Sequence, residues 1–177
     1  MKREGKNSYL KEDILLVLDS YEDIFSDFDP RPHSQKAISG DFLLECKNAS
    51  LDKKRVELKL FVPKQKRNFK EEVKIKRRLR EHFKRHCREK KKEIRKIKLN
   101  GFFWTVLGSL MMILSVFLIS MQSSFLLHLL MTLVQPAGWF FLWEGLRKIL
   151  ITPKGKLPDY FFYKKMVNSE IYFLNCK

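Results

Sequence analysis

Between residues 10 and 28 the apolar positions Leu10, Ile14, Leu15, Leu18, Tyr21, Ile24, Phe25 and Phe28 recur at spacings of three and four. That period predicts a helix with one apolar stripe. Its remaining face is acidic, with Glu12, Asp13, Asp19, Glu22, Asp23, Asp27 and Asp29. The helix is expected to stop before Asp29-Pro30-Arg31-Pro32, because a residue preceding proline avoids the helical region. Ser34 is the next candidate N-cap, and Ser39 or Asp41 could cap a further helix through Phe42, Leu43 and Cys46. From 55 to 62 the period falls to two. Val56, Leu58, Leu60 and Val62 alternate with Glu57, Lys59 and Phe61, which predicts a strand with one buried face, ended by Pro63. A lone strand is unstable, so it needs a partner. The β-rich segment at 170–174, EIYFL, is the expected one. Residues 68–99 then read as one long helix, with a broken apolar stripe of Ile75, Leu79, Phe83, Cys87, Ile94 and Ile97.

From 101 to 143 nearly every residue is apolar and none is charged. As a single helix of ~1.5 Å rise per residue this run would be about twice as long as a bilayer's hydrocarbon core is thick. It is therefore expected to turn back at its polar cluster, Gln122-Ser123-Ser124, giving two transmembrane helices at 102–121 and 125–143. Gly108, Ser109 and Ser115 offer small surfaces for close helix contact. Gln135-Pro136 followed by Gly138 predicts a kink. Gln135 itself reads either as a hydrogen-bonding contact between the helices, the favoured reading, or as a pore-lining group in an oligomer.

Charge decides the orientation. Net charge is −1 over 1–63, +13 over 64–98 and +4 over 99–177, so one block supplies most of the total of +16. Lys90, Lys91, Lys92, Arg95, Lys96 and Lys98 precede the first span; Arg147, Lys148, Lys154 and Lys156 follow the second; the turn between has no basic residue. The positive-inside rule then predicts both termini in the cytoplasm, with Trp104, Trp139 and Trp143 as interfacial anchors. Glu144 is expected to pair with Lys148 four residues on. The basic helix could meet anionic lipid headgroups, the acidic segment 12–29 or nucleic acid. Because its densest part abuts the membrane, lipid is favoured and nucleic acid is the least expected partner. Lys90, Lys91, Lys92, Arg95, Lys96, Lys98, Arg147 and Lys148 are the candidate headgroup contacts.

Little else in the chain suggests chemistry. Cys46, Cys87 and Cys176 are an odd, scattered set with no C-x-x-C, which predicts reduced thiols rather than a disulfide frame or zinc knuckle. The charged stretch MKREGKNSYLKED predicts no cleaved signal. His82 and His86 lie four apart, near Glu81, Cys87 and Glu89, but the surrounding Arg and Lys oppose a divalent cation, so they read as packing residues. No phosphate-binding glycine loop or nucleophile motif is present; no cofactor or metal and no enzymatic activity are expected. Asp29, Arg31 and Ser34 form either a ligand site or, preferably, a rigid turn whose arginine pairs with local acids.

Three stretches are distinctive together: SYEDIFSDFDPRPHSQKAISGDFL, VELKLFVPKQKR followed by KIKRRLREHFKRH, and AGWFFLWEGLRKIL. They resemble an uncharacterised family of small prokaryotic membrane proteins with two transmembrane helices and a D-P-R-P-x-S segment. The resemblance implies architecture and no activity. The expected fold class is an α+β membrane protein. Residues 1–99 form a cytoplasmic α+β region ending in the basic helix 68–99; 101–144 form the transmembrane hairpin; and 145–177 return a strand, 170–174, to 56–62. The expected function is a non-enzymatic membrane-anchored scaffold or accessory protein at the inner leaflet, alone, as a homo-oligomer or with a membrane protein partner. An oligomeric channel or membrane-permeabilising effector is the alternative.

Overall fold

A computed structural model describes residues 13–53, 56–120 and 125–176. The chain is α+β, and the described residues form three parallel strands in the order β1-β2-β3 and four α-helices. β1 (Asp13–Val17) is followed by a 3-10 turn at Tyr21–Ile24, helix α1 (Gly40–Ala49) and β2 (Glu57–Pro63). Helix α2 (Phe69–Ser120), α3 (Phe125–Leu150), α4 (Leu157–Val167) and β3 (Ile171–Cys176) complete it. Two compact units are formed, one from Met1–Arg88 with Tyr160–Lys177 and one from Glu89–Asp159.

In the first unit the central strand β2 pairs in parallel on both sides. Leu58 lies opposite Ile14 and Ile171, and Leu60 opposite Leu16 and Phe173. This row faces the core, where Leu58, Leu60 and Val62 are fully buried together with Ile75, Leu79 and Phe83 of α2 and with Phe162 and Met166 of α4. α1 adds Phe42 and Cys46. The Cys46 thiol is pushed up to about 12, mainly by burial, which leaves it a small apolar packing group with no thiolate at neutral pH. The opposite row alternates outward, with Leu15, Val17 and Tyr172 exposed beside Lys59.

The helix expected over 10–28 is not formed among the described residues; the segment is a strand and a 3-10 turn. Ile14 and Leu18 are buried as inward positions of β1 and its extension, and Tyr21, Ile24 and Phe25 as the inner side of the turn. Spacings of three and four arise here where a period of two meets a tight turn. The carboxylates explain the break, because short polar side chains compete for backbone donors. Asp23 accepts from the Asp19 and Ser20 N–H groups at 2.7 and 3.0 Å, and the Ser20 hydroxyl accepts from Glu22, forming a capping box. Glu22 pairs with Lys36 and with His33, the latter at 2.8 Å. The acids thus shape turns and local ion pairs, and Phe28, expected on the apolar stripe, is 98% exposed.

Ser34 caps no helix. It lies exposed in a turn where the Gln35 and Lys36 N–H groups both donate to the Pro32 carbonyl. Ser39 is the N-cap of α1, without a side-chain bond. The basic helix expected to end at 99 continues unbroken to Ser120, with no proline between Phe69 and Ser120 to stop it.

Candidate functional site

The second unit is built on close contact between α2 and α3. In α2 Gly101, Gly108 and Ser115 are buried, and in α3 Met131, Gly138 and Gly145 are buried. Each set repeats every seven residues, the period that keeps one seam of a helix facing a partner. The helices run antiparallel: Gly101 approaches Gly145, and Gly108 approaches Gly138 and Leu142. A Cβ at Gly108 would lie 2.6 Å from the Gly138 carbonyl oxygen, and one at Gly145 would lie 2.7 Å from that of Gly101. Only glycine lets the backbones come so near. Trp104 stacks at a tilt on Phe141, ring centroids 5.1 Å apart, and Lys148 sits over the Trp104 ring at 5.0 Å.

Away from this seam the pair is covered in exposed apolar side chains. Phe102, Phe103, Leu110, Val116 and Phe117 of α2 are each more than 60% exposed, as are Phe125, Leu126, Leu133 and Phe140 of α3. Among the described residues one helix, Phe69–Leu118, is long and apolar enough to cross a membrane, and its most apolar window is only 17% buried. A core helix of a soluble protein would be covered.

The candidate headgroup cations divide into two groups. Lys90 lies 3.7 Å from Glu93 and 3.6 Å from Asp159. Arg147 binds Glu144 through two 2.8 Å hydrogen bonds, and Lys148 lies 3.3 Å from the same carboxylate. Lys156 holds Glu93 at 2.9 Å, which keeps that carboxyl below its usual range. Lys91, Lys92, Arg95, Lys96 and Lys98 are exposed and make no ion pair among the described residues. At about 100° per residue these five fill an arc centred on the side of α2 turned away from Gly101 and Gly108. The helix therefore carries a free cationic arc in the turns directly before its apolar stretch.

Gln135 does not bridge the helices. Its side chain is exposed and lines a groove of about 640 Å³ with Met112, His128, Met131, Thr132, Pro136 and Trp139. The buried positions of α3 are those of the seven-residue seam, and 135 falls off it. Pro136 stands inside α3 and interrupts no more than its own bond, since the helix runs from Phe125 to Leu150.

The D-P-R-P segment in the first unit is a turn closed on itself. Asp29 accepts from the Arg31 guanidinium at 2.8 and 2.7 Å and from the Arg31 and Ala37 N–H groups. The Arg31 bonds, then that of Ala37, hold the Asp29 carboxyl well below the usual carboxylate range. The carboxyl ends of parallel strands are where open α/β sheets hold ligands; here the chain's own side chains occupy them. Glu72, almost fully buried, accepts from Tyr21 at 3.0 Å and from Arg67 at 2.8 and 3.0 Å, and Arg67 donates on to Asn175 at 2.7 Å. Burial works to raise the Glu72 carboxyl, but the Arg67 and Tyr21 bonds hold it below its usual value. No sequence pattern marks this network, whose members lie far apart in the chain.

Around His82 and His86 no group of three His, Cys, Asp or Glu side chains gathers among the described residues. His82 is buried against Phe83, with the ring of His86 4.3 Å and that of Tyr163 6.5 Å away, and its Nε2 has no hydrogen-bond partner among the described residues. Burial, then His86, Arg85 and Arg78, push its imidazole down to about 4. The unfolded chain takes up this proton near pH 6.5 and the folded chain only near 4, so stability is lost as pH falls across that window. Urea unfolding at pH 4.5 against pH 7 is expected to show a loss about 2 kcal/mol larger in the wild type than in His82→Leu. Equal losses in the two would mean that the ring is solvated.

No family model, curated protein or solved structure matches the chain. Its functional reading rests on geometry.

Proposed function

We propose that this chain is a two-pass membrane protein, a non-enzymatic scaffold or accessory protein that tethers its α+β unit at the cytoplasmic leaflet. α2 and α3 each span once, at 102–121 and 125–143, both termini face the cytoplasm, and the connection expected at Gln122-Ser123-Ser124, which lies outside the described residues, faces outside. The observation that carries the reading is the adjacency of two surfaces on one helix. The exposed Phe102–Phe117 face of α2 matches hydrocarbon, and the free arc of Lys91, Lys92, Arg95, Lys96 and Lys98 just before it matches anionic headgroups. Each such cation contributes on the order of 1 kcal/mol near an anionic surface. The antiparallel packing of α3 on α2 supports a second crossing, because a helical return through the bilayer keeps its backbone groups bonded within the helix, the carbonyl opposite Pro136 excepted.

The test reads orientation and tightness together. A membrane-impermeant maleimide on intact cells is expected to label Ser123→Cys and to leave the half-buried native Cys87 and Cys176 unlabelled until the cells are opened. Labelling of the native thiols in intact cells would overturn the orientation. Purified protein in vesicles is expected to add no ion flux over empty vesicles. Robust flux would replace the scaffold with the channel reading.

A further inference from the structure

We propose that a second copy of this chain docks on the Gln135 face of α3, pairing the two Gln135 carboxamides across a two-fold axis along the membrane normal. The inference rests on the two-pass reading, which places this face in hydrocarbon. His128, Thr132, Gln135 and Trp139 fall at i, i+4, i+7 and i+11 of α3, one continuous stripe. Thr132 turns its hydroxyl back to the His128 carbonyl at 3.0 Å. Gln135 has no such outlet: its amide is exposed and unbonded among the described residues. Pro136 has no N–H to donate to the Thr132 carbonyl one turn back, and the side chain of Gln135 points toward that same turn.

Hydrocarbon supplies neither donors nor acceptors, so each of these groups is costly until a protein group meets it. The chemistry selects the partner. A carboxamide offers two N–H donors and one acceptor oxygen, and the freed carbonyl adds a second acceptor. Donors and acceptors on this face are therefore balanced, and a copy of the same face satisfies it. Copies inserted in the same orientation place Gln135 beside Gln135 at equal depth, and a two-fold axis repeats every bond. The groove floor of Met112 and Met131 consists of flexible side chains that re-pack around an incoming surface, with Trp139 on its rim.

Full-length protein, labelled and reconstituted in phosphatidylcholine–phosphatidylglycerol vesicles, is diluted over a series of lipid ratios and counted by single-molecule photobleaching. Flotation of the same samples reports insertion. Wild type is expected as dimers that dissociate on dilution. Gln135→Leu is expected to shift the midpoint by roughly tenfold toward monomer. Gln135→Asn should keep most of the association, and Leu129→Ala, outside the stripe, should leave it unchanged. Floating wild type that is monomeric at every dilution overturns the inference and leaves the membrane reading standing, as do dimers equally stable in Gln135→Leu. Assemblies larger than two overturn the two-fold pairing. Failure to float overturns the membrane reading itself.

Discussion

Gly108→Ala is expected to destabilise the α2–α3 pair by about 3 kcal/mol, while Gly40→Ala leaves the protein as stable or slightly more so. The difference lies in what a methyl group meets. At Gly108 it runs into the Leu142 amide and the Gly138 carbonyl, the latter at 2.6 Å, and neither backbone atom can move without parting the helices. Overpacking of this kind costs about 1–3 kcal/mol, occasionally more. At Gly40 nothing lies within 4 Å, and alanine in a helix removes unfolded-state freedom, worth about 0.4–1 kcal/mol. Gly138→Ala should fall between them, because its methyl first meets the Met112 side chain, at 3.0 Å, which can turn aside. Single-molecule force unfolding in bicelles gives the order. A Gly108→Ala pair as strong as wild type, or a Gly138→Ala loss equal to it, would show that the seam is looser than the backbone positions imply.

The seam shows what the sequence could and could not convey. Gly108 and Ser115 are visible as small residues in an apolar run, but the seven-residue repeat only becomes meaningful once Gly101 and Gly145 are counted with them. Both lie at the ends of the run, where a glycine reads equally well as a boundary. From sequence alone Gln135 reads as a contact between the helices, because a polar side chain in lipid needs a partner. The buried seam positions are Met131, Gly138 and Gly145, and Gln135 lies off them, exposed.

Legibility in the α+β unit follows the same division. The alternation from Val56 to Val62 appears as β2, and the C-terminal β-rich segment pairs with it, because strict period two admits one buried face and hence one structure. The segment at 10–28 misled because Ile14, Leu18, Tyr21 and Phe25 are buried in both geometries. The deciding information was in Ser20 and Asp23, which form a capping box and break the chain after β1. The Tyr21–Glu72–Arg67–Asn175 network was invisible for a different reason: its members are brought together only when all three strand ends meet. Nothing in the sequence separates Glu72 from the other charges of the basic helix; its burial does.

Deleting residues 168–177 is expected to unfold the α+β unit rather than trim it. β3 lies beside β2, the central strand, so its loss exposes one whole edge of that strand. Ile171 and Phe173 are 3% and 6% exposed, and fully burying such side chains contributes about 1.5–3 kcal/mol each. Tyr21 loses the edge-on Phe173 ring at 5.8 Å, Leu58 loses its bond to the Glu170 carbonyl, and Arg67 loses Asn175. Together these reach about 5 kcal/mol or more, the scale of a small domain's whole stability. Phe173→Ala, which keeps the strand and removes one ring, should cost about 3–5 kcal/mol and separate the packing contribution from that of the backbone ladder. Hydrogen exchange on the full chain in bicelles is the measurement. Amides of β2 should go from protected to near-free in the truncation and to an intermediate level in Phe173→Ala, while those at Gly101–Gly108 stay protected, since the helix pair is a separate unit. Unchanged protection of β2 after truncation would mean that β1 and the helices hold the strand without β3.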